Sequence, residues 1–451
     1  VVSDDSPAKA MDATVLKYLR TRATVRPVDW ARNVPAITTR VVVVPAYEES
    51  RFLPDTLKSL ADCTAAHEAV RTVVIVVVNN PVANDAEPSS PLQSAFQDNQ
   101  RTLHWLREHA ADLPLCIGSI DASSNGRELP GKGGVGMARR IGCDTALQLI
   151  AEHSSDRADD PRGCVILNLD ADAHVEPTYL DAADELAESD AGGGAILFEH
   201  QPAATTNEQY AIDCYELYMH HYVLGLRLAE SPYAFHTVGS TMVAEAHAYA
   251  KCGGIPRKRL AGEDFYFMQN LARTCGVRTL ESTVVHPSAR PSQRVPFGTG
   301  PRINAYLDGT EPDFTVHHPD TFELLRQTRL AACSALLENR ALHDSPVARL
   351  HPEARSFLLR NGFESILTKF RQQFAKSEQR IRAFDTWFDG LATFRLVRHL
   401  TETTFPPMPL LEGWRQLLKR VGLPLPTDAH AELLHAWRQH LRHNPTTQSS
   451  C

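Results

Sequence analysis

From Thr38 onward the chain alternates short β-branched runs with stretches of helical spacing. "RVVVVPAY" (40–47) carries four consecutive valines, the pattern of a strand buried on both faces. "LPDTLKSLADC" follows, with Leu53, Leu57 and Leu60 at helical intervals. "RTVVIVVVNN" (71–80) predicts a second buried strand that ends in polar residues. A loop rich in Asn, Pro and Ser is expected over Asn79–Gln93, then a helix around Leu103–His109, then a third strand in "LPLCIGSID". "GKGGVGMARRIGCDTALQLIAEH" (131–153) reads as a glycine-rich turn opening onto a helix. "CVILNLDADAHVEPTYL" (164–180) holds a fourth strand, and "GGGAILFEHQ" (192–201) a fifth, with a helix near Tyr179–Glu188 between them. Such alternation predicts a mostly parallel α/β sheet with helices on its faces. Ligands of these sheets bind at the carboxyl ends of the strands, where Tyr47, Glu48, Asn79, Asp170 and Asp172 fall.

The flanks differ. A short helical pattern (Met11–Thr21) opens a polar lead-in over residues 1–37, and the α/β pattern occupies 38–310. Over 311–451 the alternation gives way to long amphipathic stretches that predict a helical region. "EQYAIDCYELYMHHYVLGLRLAE" (208–230) is a helix rich in Tyr and His, and its few basic residues favour a core or homodimer face over a lipid surface. Peripheral membrane contact stays compatible with it. The longest strongly apolar run, "VVIVVV", is far too short to span a bilayer. Composition is that of an ordinary globular protein, 43% hydrophobic and 22% charged over 451 residues. A net charge of -8 argues against a nucleic-acid partner. Nine scattered cysteines without a CxxC pair read as reduced thiols, and with no charged-then-apolar leader the expectation is a cytoplasmic protein.

The chemistry gathers at a few positions. Asp170 and Asp172 stand one residue apart at the tip of a buried strand, where like charges need open water or a cation between them. In an extended chain i and i+2 point the same way, so the two could converge on Mg²⁺ or Mn²⁺, which favour oxygen ligands. Glu263 and Asp264 open a helix, where acids cap free N–H groups or serve as a general base. Arg290 and Arg294 lie in a Pro/Ser-rich loop, and guanidinium forks suit phosphate oxygens. "LPGKGGVGMARR" lacks the Ser/Thr after its lysine that a Walker loop requires.

Four segments in order, "VVVVPAYEES", "VVIVVVNN", "LNLDADAH" and "GGIPRKRLAGEDFYF", resemble the family 2 glycosyltransferases over residues 38–300. The resemblance implies the GT-A nucleotide-diphospho-sugar transferase fold, a Rossmann-like sheet flanked by helices. It places Pro45, Tyr47 and Glu48 in the donor-binding turn, with Glu48 where the family has Asn. Asp172 would contact the divalent cation, Asp170 the ribose or a metal-bound water, and His286 would complete the metal shell. Asp264 would be the base that activates the acceptor hydroxyl, with Glu263 as the alternative. Lys132 would lie near the diphosphate, and a simple turn at a helix start explains it nearly as well. Asn79 stands where the family has an Asp that reads the nucleotide base, which leaves a UDP- or GDP-sugar donor open.

The function so implied is metal-dependent, inverting sugar transfer to an unidentified acceptor. Three alternatives share the fold: a retaining transferase, a sugar nucleotidyltransferase and a non-catalytic sugar-nucleotide-binding subunit. A nucleotidyltransferase would want a glycine-rich signature after the first strand, and "PAYEESRF" contains no glycine. A non-catalytic subunit predicts loss of an acidic pair, and both pairs are present.

Overall fold

The structure, a computed structural model, describes residues 12–64, 72–81, 91–130, 133–153, 163–257, 262–291, 299–310, 313–338, 340–424 and 427–443. The chain begins α1 (Ala13–Thr21), β1 (Asp29–Trp30), β2 (Arg40–Ala46), α2 (Leu53–Thr64), β3 (Thr72–Asn79), α3 (Pro91–His109), β4 (Cys116–Ala122) and α4 (Val135–His153). It continues β5 (Val165–Asn168), β6 (His174–Val175), α5 (Asp181–Ala187), β7 (Gly193–Phe198), α6 (Thr206–Leu228), β8 (Met242–Glu245), α7 (Ala246–Cys252), α8 (Glu263–Cys275) and β9 (Val277–His286). The last part is α9 (Thr299–Leu307), β10 (Thr315–Val316), α10 (Pro319–Leu337), α11 (Pro352–Arg360), α12 (Phe363–Gln373), α13 (Ser377–Trp387), α14 (Gly390–Thr403), β11 (Met408–Pro409), α15 (Leu410–Arg420) and α16 (His430–His443).

Nine strands form one sheet in the order β1-β4-β3-β2-β5-β8-β7-β9-β6. Strands β2, β3, β4, β5, β7 and β9 run parallel, and β1, β6 and β8 oppose them. The valine runs explain the layers. Successive side chains of a strand face opposite sides. Val41, Val43, Val73, Ile75 and Val77 therefore fill the core under α1, α4, α7 and α8. Val42, Val44, Val74, Val76 and Val78 fill the core under α2, α3 and α5. The result is the mixed α/β architecture that the alternation predicted.

Two boundaries differ from expectation. Helix α3 already begins at Pro91, inside the stretch expected as loop, because proline suits the first turn of a helix. Strand β8, four residues long, was not foreseen. "MVAE" is too short for a periodic signal, and its place between β5 and β7 comes from pairing.

Helix α6 links the sheet to the helices after 311. A capping box starts it: Thr205 and Glu208 each satisfy the other's backbone N–H. One side shares a core with α10 through α14, where Leu226 meets Phe322, Leu325 and Leu396. Another shares a core with α15 and α16, where Leu217 and Leu224 meet Trp414 and Trp437. Tyr215, His220 and His221 of α6 are thus core, Tyr218 and Tyr222 half-buried, and Tyr210 exposed. Among the described residues, no helix is long and apolar enough to cross a membrane.

Candidate functional site

The winding of the sheet creates a crevice. From β2 the chain moves outward to β3 and β4, then returns to β5 on the other side of β2. Between strands that depart in opposite senses, the loops at the carboxyl ends part and leave room for a ligand. Pro45 assists: the β2–β5 register ends at Val43↔Asn168, and proline has no N–H to extend it.

The β2 side of the crevice is a pinned turn. Tyr47 sits half-buried, and Glu48 is exposed with a left-handed backbone, φ 59°. Its N–H donates to Asn99 Oδ1 at 2.9 Å, and Ser50 N–H donates to Asp98 Oδ2 at 2.9 Å. Such a conformation in a non-glycine residue costs energy that these two hydrogen bonds help offset. Asn79 is buried, and its amide donates to Ala46 O at 3.0 Å and Val77 O at 3.4 Å. That amide nitrogen ties β3 to β2 at the rim of the crevice.

The β5 side is a turn rather than an extended run. The strand stops at Asn168, and Ala173 N–H donates to Asp170 O at 3.1 Å. The turn sends the two carboxylates to different cations. Asp170 Oδ1 accepts from Arg139 Nη2 at 2.9 Å. Asp172 Oδ2 accepts from Arg290 Nε at 2.9 Å and lies 2.7 Å from its Nη2. Arg290 also donates to Glu49 Oε1 and stacks over the Phe52 ring at 4.2 Å. It therefore spans the crevice from the β2 turn to the β5 turn.

Arg139 is the hub of the second half. It is 3% exposed, although it sits on α4 among apolar residues. Nη1 donates to Gly239 O at 2.9 Å, and Nε lies 3.5 Å from Glu263 Oε1. Gly136 permits this: a Cβ there would sit 3.0 Å from Glu263 Cβ, so α4 and the start of α8 approach closely. The acidic pair occupies the first turn of α8, and the N-cap is Gly262, with no side-chain cap. Asp264 Oδ1 accepts from Phe265 N–H at 2.7 Å. Burial, and next the Glu263 charge, push the Asp264 carboxyl up to about 7, against the pull of that N–H and of Arg139. Asp170 adds to the push, so the β5 turn and α8 share one electrostatic site.

His286 closes β9 opposite His174 of β6. Its Nδ1 donates to Glu199 O at 3.0 Å, and its Nε2 lies 3.6 Å from Glu176 Oε1. Among the described residues, no three His, Cys, Asp or Glu side chains form a cluster able to hold a metal ion. Lys132 and Arg294 lie outside the described residues. Asp170, Asp172, Glu263, Asp264 and Arg290 were legible in the sequence as candidates, whereas Arg139 and Glu49, which pair with them, were missed. The signal for Arg139 was present in "GMARR", an arginine inside a helix whose neighbours are nearly all apolar or small.

No protein-family model matches the chain, and no curated protein does. Among solved structures, the chain is similar to S. aureus TarS 1–349 in complex with UDP-GlcNAc, at 13% identity and a TM-score of 0.37. That match covers 79% of this chain and 92% of the other. It is also similar to the mannosyltransferase PcManGT from Pyrobaculum calidifontis in complex with GDP-Man and Mn2+, at 14% identity and a TM-score of 0.33. Here the coverage is 82% of this chain and 92% of the other.

Proposed function

We propose that the protein is a GT-A-type glycosyltransferase that moves a sugar from a nucleotide-diphospho-sugar to an acceptor hydroxyl with inversion. One observation carries the reading. At the switch point Asp170 and Arg139 act on Asp264, whose carboxyl is poised near neutrality, and the same β5 turn carries Asp172 paired with Arg290. A diphosphate leaving group needs positive charge, and the partly exposed Arg290 guanidinium supplies it at the β5 turn, while the buried Arg139 holds Asp170. An acceptor hydroxyl needs a base with a pKa near the working pH, and burial against Glu263 gives Asp264 one. Retention would leave that base without a task.

A divalent cation fits the donor set. Each of Asp170 and Asp172 engages an arginine through one oxygen, and the other takes no hydrogen bond from the described residues. Mg²⁺ or Mn²⁺ is commonly held by one or two carboxylates plus substrate phosphates, so a single one of these aspartates would suffice although the turn divides the pair. When bound, the cation would supply Lewis-acid charge to the departing diphosphate. Arg139 and Arg290 keep the carboxylates aimed, and Asp264 takes the acceptor proton.

The decisive measurement is a donor screen: turnover of UDP- and GDP-sugars with Mg²⁺, Mn²⁺ or chelator, for the wild type and Asp172→Ala. Turnover of one donor that chelator and Asp172→Ala both suppress is the expected result. If no nucleotide sugar binds or turns over and Asp172→Ala changes nothing, the transferase reading is wrong.

A further inference from the structure

Behind the crevice a second set of charges joins the last helix to the ends of three strands. Arg442 of α16 donates from Nε to Glu199 Oε1 at 2.8 Å and from Nη2 to Glu176 Oε1 at 3.0 Å. Glu199 follows β7, and Glu176 follows β6, which itself follows the Asp170–Ala173 turn. His286, at the end of β9, lies between them through its contacts to the Glu199 carbonyl and the Glu176 carboxylate. Gln201 completes the lattice: its amide donates to Asp172 O and to His286 O, at 2.8 Å each. One turn earlier on α16, Arg438 donates from Nε and Nη2 to the fully buried Glu216 at 2.7 and 2.9 Å. Residues four apart share a helix face, so the two arginines reach the sheet together.

We propose that Arg442 is a positioning residue of the donor site: by bridging Glu176 and Glu199 it holds the turn bearing Asp170 and Asp172 against the ends of β7 and β9. The inference rests on the donor-site reading above and deepens it. Without the guanidinium, two carboxylates would face each other beside the Asp172 turn. Their repulsion would spread the β6 and β7 ends that Gln201 and His286 join. Groups that orient ligating side chains commonly matter nearly as much as the ligands themselves.

The test uses the 451-residue chain in four forms: wild type, Arg442→Gln, Arg442→Lys and Leu433→Ala. Leu433 is a buried α16 residue that touches neither carboxylate, so its truncation loosens the helix without removing the bridge. Binding of UDP and of GDP with Mg²⁺ is measured by calorimetry, well below every Tm. Amide hydrogen exchange over residues 170–175 is measured without ligand. Expected for Arg442→Gln is a Kd weaker by about tenfold or more and faster exchange at the turn. Arg442→Lys should recover part of both, and Leu433→Ala should lower Tm while leaving both near wild type. Wild-type Kd and exchange in Arg442→Gln would overturn the inference, and so would equal changes in Leu433→Ala. If the wild type binds neither nucleotide, the donor-site reading fails by itself, and the exchange comparison still decides the role of Arg442.

Discussion

At the scale of single residues, Asp264 carries the sharpest expectations. Its carboxyl is raised to about 7, so if it is the base of the transferase proposed above, kcat/KM should drop as pH falls below an apparent pKa near that value. Asp264→Asn should lower kcat by about 10²–10⁴-fold, the usual worth of a general base. It should also stabilise the fold. The folded pKa lies above the unfolded value of 3.8, so the folded state holds the extra proton. Stability contributed by that proton is lost as pH rises through the window between the two values. The Tm gain of Asp264→Asn should therefore be larger at pH 8 than at pH 5, and thermal melts at both decide it. The acidic pairs were legible in sequence because each stands at an element boundary, after a buried strand or before a helix. For Arg139 the apolar helix around it hinted at burial, but its partners were not legible until Gly136 and Glu263 bring α8 against it.

At the scale of elements, pattern reading located the buried strands and misjudged what happens where they stop. The Asp170–Ala173 segment was expected to continue as an extended chain and instead turns, which divides the carboxylates between Arg139 and Arg290. Turn formation there is settled by contacts such as Thr56 Oγ1 donating to Ala171 O at 2.9 Å, far away in sequence. Helix α6 shows close packing most plainly. Gly225 has no side chain, and a Cβ there would collide with the Phe322 ring of α10. Gly225→Ala should destabilise the protein by about 1–3 kcal/mol, the usual cost of overpacking a core. Denaturant melts should show a lower midpoint, and an unchanged midpoint would mean that α6 and α10 can separate freely.

For the whole molecule, one buried carboxylate, Glu216 of α6, ties the last helix to α6 beside the apolar cores and the Arg442 bridge. Burial alone would raise Glu216, yet hydrogen bonds from His200 and Arg438, with His220 nearby at 3.6 Å, hold it well below 4.5. The stability it contributes is therefore complete above that unfolded value and lost as pH falls through the folded one. Glu216→Gln leaves Arg438 facing a neutral amide in a buried site. Breaking such a pair costs about 3–5 kcal/mol, so its chemical-denaturation midpoint should fall strongly at pH 7. Fluorescence of Trp414 and Trp437, which share a core with α6, would report α16 leaving the sheet. Equal midpoints for Glu216→Gln and wild type would show that the Arg438–Glu216 pair adds nothing to the docking of α16 beyond its apolar contacts and the Arg442 bridge.

The amino-acid sequence by itself determined the parallel valine strands, their polar carboxyl ends, the two acidic pairs and the helical character beyond 311. Those features are local: a side chain's periodicity and its distance from a strand end are written within a dozen residues. Only the tertiary structure decided which cation each carboxylate meets. Arg139 and Asp170 lie 31 residues apart, Arg290 and Asp172 118, and Arg442 and Glu176 266. Ion pairs across such separations carry no period along the chain. They exist because the order of the strands brings their ends to one edge of the sheet, and because α6 leads the last helix back to that edge.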